Sequence, residues 1–90
     1  MTQRDAKIGE LASSYVQKTE RAFEGLKLVQ GVVPSDAESV RQVIGEAKRY
    51  LEDAKYYLGR RKYETSLASV AYCEGLLDAL RMLRFVEFDW

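Results

Sequence analysis

Gly31-Val32-Val33-Pro34-Ser35-Asp36-Ala37-Glu38 is the stretch that decides how this chain folds, because it interrupts one long helical pattern and starts another. Gly31 tolerates positive φ and suits the C-cap of a preceding helix. Pro34 lacks the amide proton that a continuing helix needs. Ser35 and Glu38 have the spacing of a capping box, in which each side chain satisfies the other's free backbone amide. The stretch therefore predicts a first helix ending at about residue 30 and a second starting at Asp36.

Upstream, Ile8, Ala12, Tyr15, Thr19, Ala22, Leu26 and Val29 recur in steps of four and three, with Leu11, Val16 and Phe23 widening the stripe. Such a row lies along one helical face, and the spacing predicts a helix over residues 3–30. Downstream, Ala37, Val40, Ile44, Ala47, Leu51, Ala54 and Leu58 repeat the pattern, with Val43, Tyr50 and Tyr57 as a second row. Gly59 and Arg60-Arg61-Lys62 end that helix near residue 58, where positive charge suits the helix C-terminus. A third helix is predicted over 63–84. Its apolar positions, Tyr63, Leu67, Val70, Ala71, Cys73, Leu76, Leu77, Leu80 and Leu83, cover more than half the circumference.

Short links force neighbouring helices to run antiparallel. The fold expected is all-α: one antiparallel up-down-up three-helix bundle spanning residues 1–90, with 85–90 as an aromatic C-terminal tail. In the second hairpin, positions whose numbers add to about 121 then lie side by side. That register sets Gly45 opposite Gly75 and Ala54 near Leu67 and Ala68. A glycine inside a helix costs about 1 kcal/mol relative to alanine, so two facing glycines predict a close backbone approach.

Composition narrows the function classes. The 90 residues carry 14 basic and 14 acidic side chains, so no overall field draws the chain to nucleic acid or an anionic membrane. Residues 31–62 hold seven basic and five acidic side chains, and 63–90 hold two and five. Cys73 is the only cysteine, which excludes an intramolecular disulfide and a cysteine-rich zinc site and suits a reduced cytoplasmic setting. The charged start, Met1 to Glu10, lacks the apolar core of a signal peptide, and no run reaches the roughly 18 apolar residues of a membrane span. With no His and no Glu-x-x-Glu, neither a carboxylate-bridged metal centre nor a His-based catalytic site is expected. No cofactor is expected either.

The second half of the chain reads Tyr50-Leu51-x-Asp53-Ala54-x-x-Tyr57-Leu58, then Tyr63, Leu67-Ala68, then Tyr72-x-x-Gly75-x-Leu77-Asp78-Ala79. It resembles the archaeal family catalogued as domain of unknown function 357. Family members typically carry Gly in the tight turn before the tyrosine at 63, and here Arg61 stands in that place. The resemblance implies a helical bundle of archaeal cytoplasm and supplies no catalytic residues. The same hairpin is similar to the tetratricopeptide helix pair, of which this chain holds no second copy. It is also similar to the nucleotide-binding helical family abbreviated HEPN, whose nuclease members use an Arg and a His on the last helix.

Five polar residues and five apolar ones are the candidates for function. Glu74 falls inside the apolar arc of the third helix, where an unpartnered carboxylate is costly. Lys48 or a tyrosine hydroxyl is its expected partner. Asp78 and Arg81 follow on nearby turns, and Tyr72 points away from the main arc. Glu74, Asp78, Arg81, Lys48 and Tyr72 are the candidates for a polar groove; more simply, Glu74, Asp78 and Arg81 form an interhelix ion pair that fixes register. Leu76, Leu83, Phe85, Phe88 and Trp90 form either a docking surface, for self-association or another protein, or a tail folded back over the bundle end. Arg60-Arg61-Lys62 reads as a solvated turn and Cys73 as a small core hydrophobe. The reading is a non-enzymatic helical interaction module that dimerises or binds another protein. The alternative is a HEPN-like helper of a nucleotidyltransferase, associated with nucleotide or nucleic acid through a groove at Lys48, Arg49, Tyr72 and Glu74.

Overall fold

A computed structural model describes residues 3–90; Met1 and Thr2 lie outside the described residues. Three helices, α1 (Gln3–Gly25), α2 (Pro34–Gly59) and α3 (Tyr63–Met82), pack as an all-α bundle. Two short strands, β1 (Lys27–Leu28) and β2 (Val86–Glu87), close one end of it. The helices α2 and α3 pack most extensively, and α1 lies mainly against α3. Cross-helix pairs fix the directions. Tyr50 meets Tyr72 and Ser66 Oγ donates to the Ala54 carbonyl, so α2 and α3 are antiparallel. Arg4 pairs with Glu64 and Lys18 with Glu74, so α1 and α3 are parallel.

The core follows the predicted stripes in part: Leu11, Tyr15, Ala71 and Leu83 belong to those rows but are exposed, and Ser66 lies outside them but is buried. Ala12, Val16, Thr19 and Ala22 of α1, Val40, Ala47, Leu51 and Ala54 of α2, and Ser66, Val70, Cys73, Leu77 and Leu80 of α3 are the buried helix residues. Many of these side chains are small, which lets the helix axes approach. Ser66 is fully buried, and its hydroxyl makes a 2.7 Å bond to the Ala54 carbonyl, satisfying the group and pinning the hairpin. At the far end, a Cβ on Gly9 would sit 3.0 Å from the Tyr63 ring. The missing side chain lets that ring lie against α1.

Three local expectations are corrected. The first helix ends at Gly25, not near residue 30. Leu26 and Val29 continue the helical spacing, yet the chain leaves the helix there and pairs with its own tail. Lys27 lies opposite Glu87 and Leu28 opposite Val86 in an antiparallel ladder, and the Val29 amide donates to the Phe85 carbonyl at 3.0 Å. Ordering the tail this way buries Val86 and Phe88, and that gain overrides a weak local helix preference beside a glycine.

The capping box does not form. The second helix starts at Pro34, with Val33 as its N-cap and no side-chain capping bond. Proline at the first helical position needs no amide partner and is preset in φ, and it holds Val33 extended at φ −63°, ψ 150°. Ser35 therefore sits exposed in the first turn and Glu38 exposed just beyond it. Gly31 does take positive φ, 87°, but in the turn after β1 rather than as a cap of α1.

Gly45 and Gly75 do not face each other closely. The register is the expected one, as Tyr50–Tyr72 and Ser66–Ala54 show, but the glycines lie on another face. Each glycine lies two positions from a buried residue, Ala47 and Cys73 or Leu77, hence about 200° around the helix from it. Both are exposed, and a Cβ on either meets nothing within 4 Å. Gly45→Ala and Gly75→Ala are each expected to raise stability by about 1 kcal/mol, read as the urea midpoint of dilute protein. A fall in the midpoint would restore the close-approach reading.

Both α2 and α3 end in the same way, with arginine rather than glycine in the left-handed position. After α2, the Lys62 amide donates to the Tyr57 carbonyl and the Arg61 amide to that of Leu58. After α3, Phe85 donates to Leu80 and Arg84 to Arg81. These are Schellman closures, with Arg61 (φ 61°) and Arg84 (φ 63°) in the left-handed position. The tight hairpin turn thus keeps its geometry with Arg61 where the family resemblance leads to glycine.

Candidate functional site

Among the described residues, Glu74 is the one carboxylate drawn into the bundle seam, its side chain 19% exposed. The expected partner, Lys48, is not the one it meets; Lys48 is exposed on α2. Lys18 of α1 places its Nζ 3.4 Å from Glu74 Oε1. Buried Thr19 lies 3.2 Å from the same oxygen, and its single hydroxyl proton is shared with the Tyr15 carbonyl at 2.8 Å. The Lys18 ammonium also lies over the rings of Tyr15 (4.5 Å to the centroid) and Trp90 (5.1 Å). Sequence reasoning named the carboxylate but missed the cation. Lys18 lies one position before the predicted apolar row of α1, so no pattern singled it out.

Asp78 and Arg81 anchor the tail. One oxygen, Asp78 Oδ1, accepts from Arg81 Nη2 at 3.0 Å and from Trp90 Nε1 at 2.9 Å. The guanidinium of Arg81 covers the Phe88 ring at 5.0 Å, and Phe88 meets Trp90 edge-on at 4.8 Å. Phe88 is buried, and Phe85 and Trp90 are half-buried. Of the proposed docking residues, Leu83 alone stands well exposed, at 64%, and Leu76 is half-buried. The tail is folded back, and its aromatic side chains close the seam between α1 and α3.

The five polar candidates therefore do not converge. Glu74 turns to α1, and Asp78 and Arg81 to the tail. Tyr72 stacks on Tyr50 of α2 at 4.4 Å on the opposite side of α3. Cys73 is fully buried, and its thiol is pushed up to about 12 by burial first and by the nearby Glu74 charge second. Among the described residues, no three His, Cys, Asp or Glu side chains gather closely enough to hold a metal ion.

Two surfaces stand out. The first is the outer face of α3, made of Thr65, Ala68, Tyr72, Gly75, Ala79 and Met82, all exposed. Of the charged residues of α3 between them, Glu74 turns to α1 and Asp78 and Arg81 to the tail, so the row itself carries no charge over five turns. The outer faces of α1 and α2 are studded with charge in the ordinary way. The second surface is a groove of about 710 Å³ where α1, α3 and the ribbon meet. Arg21, Lys27, Arg81 and Arg84 line it together with the carboxylates Glu87 and Asp89. Neither surface was legible as such, because each is assembled from residues the pattern scatters.

The architecture is a three-helix bundle sealed by a two-residue ribbon, with no helix long and apolar enough to cross a membrane among the described residues. The chain belongs to the family described as "Protein of unknown function (DUF357)", whose model matches residues 14–86. That match runs from α1 to the start of β2, so it covers the ribbon as well as the hairpin that carried the resemblance. No curated protein and no solved structure matches the chain.

Proposed function

We propose that the protein is a non-enzymatic helical interaction module that self-associates through the outer face of α3. The observation that carries this reading is the spacing of Thr65, Ala68, Tyr72, Gly75, Ala79 and Met82. The steps are three, four, three, four and three, a heptad seam that reads the same in both directions. A second copy laid antiparallel across it sets Thr65 against Met82, Ala68 against Ala79, and Tyr72 against Gly75. Each contact then occurs twice about a two-fold axis, the usual symmetry of a homodimer. The Tyr72 ring, held by Tyr50, is the large side chain and Gly75 the vacancy it fits.

The non-enzymatic part rests on the titratable groups. The chain has no His, the thiol is inaccessible and held protonated, and Glu74 and Asp78 are engaged in holding α1 and the tail. A reduced cytoplasmic setting belongs to the same proposal and suits a lone buried cysteine.

Sedimentation of the full chain between roughly 10 μM and 1 mM tests the reading, with association expected in the range of weak, transient interfaces. Ala68→Glu and Ala79→Lys should each give monomers, and their mixture should associate again, since the two positions meet across the axis. A chain that stays monomeric at 1 mM, or variants that associate as before, would overturn it.

A further inference from the structure

The groove between α1, α3 and the ribbon has no part in that interface, and its charge is unusual for a chain of net charge zero. Arg21 comes from the penultimate turn of α1, Lys27 from β1, and Arg84 from the left-handed position after α3. Nothing in sequence brings them together. The ribbon does, because β1 pairs with the tail that follows Arg84.

Like charges gathered in one concavity repel, and carboxylate partners normally relieve this. Here Arg81 has Asp78 at 3.0 Å. Arg21, Lys27 and Arg84 form no ion pair within 4 Å among the described residues, although Glu87 and Asp89 line the same groove. Lys27 lies directly opposite Glu87 in the ladder and still makes no ion pair with it. Val29, Val86 and Phe88 give the groove an apolar floor beside these cations. Its volume falls within the range of small-ligand pockets.

The geometry points to a binding site for a small phosphate-bearing molecule with an apolar body. Arg21, Lys27 and Arg84 hold the phosphate oxygens, and the floor at Val29, Val86 and Phe88 receives the rest. Guanidinium groups suit this task because they donate two parallel bonds to one phosphate.

The test is titration of the full-length chain, observed by amide NMR at about 0.15 M salt to screen nonspecific attraction. The probes are inorganic pyrophosphate, AMP, ATP and a ten-nucleotide single-stranded RNA. Saturable shifts at residues of the groove with a phosphate probe support the site. If ATP or AMP binds more tightly than pyrophosphate, the apolar floor contributes, as proposed. The double variant Arg21→Gln/Arg84→Gln should weaken binding at least about tenfold, and adding Lys27→Gln should abolish it. All three side chains are exposed at the surface, so the melting temperature should hold and show that the fold is intact. No saturable shift with any small phosphate, equal binding by the triple variant, or RNA binding that spreads beyond the groove and outcompetes every small probe would overturn the proposal. Because Ala68→Glu leaves this groove untouched, its monomer should bind as the parent does. Failure of one proposal is thus distinguishable from failure of the other.

Discussion

A chain ending at Arg84 is expected to lose about 4–6 kcal/mol of folding free energy. Val86 is 1% exposed and Phe88 8%, and burying such side chains contributes roughly 1.5–3 kcal/mol each. Trp90 adds partial burial and an indole bond to Asp78, worth about 1 kcal/mol. Its loss also leaves Asp78 with Arg81 alone and takes one ring from the Lys18 ammonium. The ribbon disappears as well, since β1 has no other strand to pair with among the described residues. Against a typical domain stability of about 5–15 kcal/mol this is a large fraction. Urea unfolding of the two chains measures it, with a midpoint fall of roughly 2 M or more. Hydrogen exchange at Val29, whose amide bonds the Phe85 carbonyl, should rise to the rate of an open segment. Equal midpoints would mean that the tail contributes nothing to the fold. The outer face of α3 survives this truncation, so conditions that keep the shortened chain folded should also keep its self-association.

The second large effect concerns Cys73. Its thiol titrates near 12 in the folded protein against an ordinary 9.0, because burial disfavours the thiolate and Glu74 repels it. A pKa raised by folding contributes stability that is fully present below the unfolded value. That contribution is lost as pH rises from about 9 toward about 12. At pH 11 the loss amounts to about 3 kcal/mol. Tyrosines and lysines also titrate there, so the measurement is the difference between the parent and Cys73→Ala, whose stability should fall less steeply above pH 9. The same burial governs reactivity. At pH 8 the folded thiol is overwhelmingly protonated and fully buried, so alkylation proceeds through opening of the bundle. Its rate should follow the unfolding equilibrium and rise steeply in the tail-less chain. Fast modification of the intact fold at pH 8 would contradict the burial of this thiol.

The helices themselves were legible because their signal is local. Alternating steps of three and four place Val40, Ala47, Leu51 and Ala54 on one face whatever they meet. The hairpin register followed from the short turn, and Tyr50–Tyr72 lies where that register puts it. The failures have three different physical origins. Leu26 and Val29 fit a helix by spacing, and only the distant tail withdraws them. Ser35 and Glu38 fit a capping box, and Pro34 starts the helix before it. Gly45 and Gly75 share a register but face away, since register fixes height along a helix and not direction around it.

The candidate residues divide in the same way. That Glu74 required a partner was evident from a carboxylate in an apolar arc, but which cation met it depended on how α1 docks. That the tail was too apolar for open solvent was evident from Phe85, Val86, Phe88 and Trp90. That it folds back as a strand on residues 27–28 was not, because two residues carry no periodicity. The unpaired cations of the groove were invisible for the same reason.

By itself, then, the sequence determined three amphipathic helices, their antiparallel order, most of the residues that form the core, and one carboxylate in need of a partner. All of these are properties of neighbours within a few turns of the same chain. Tertiary structure decided where α1 ends, that Lys18 rather than Lys48 meets Glu74, and that the aromatic tail seals the bundle. It also decided that Arg21, Lys27 and Arg84 share one groove while the face from Thr65 to Met82 is left bare. Each of these rests on contacts between segments far apart in the chain, whose free energy exceeds local preference only once the bundle has formed.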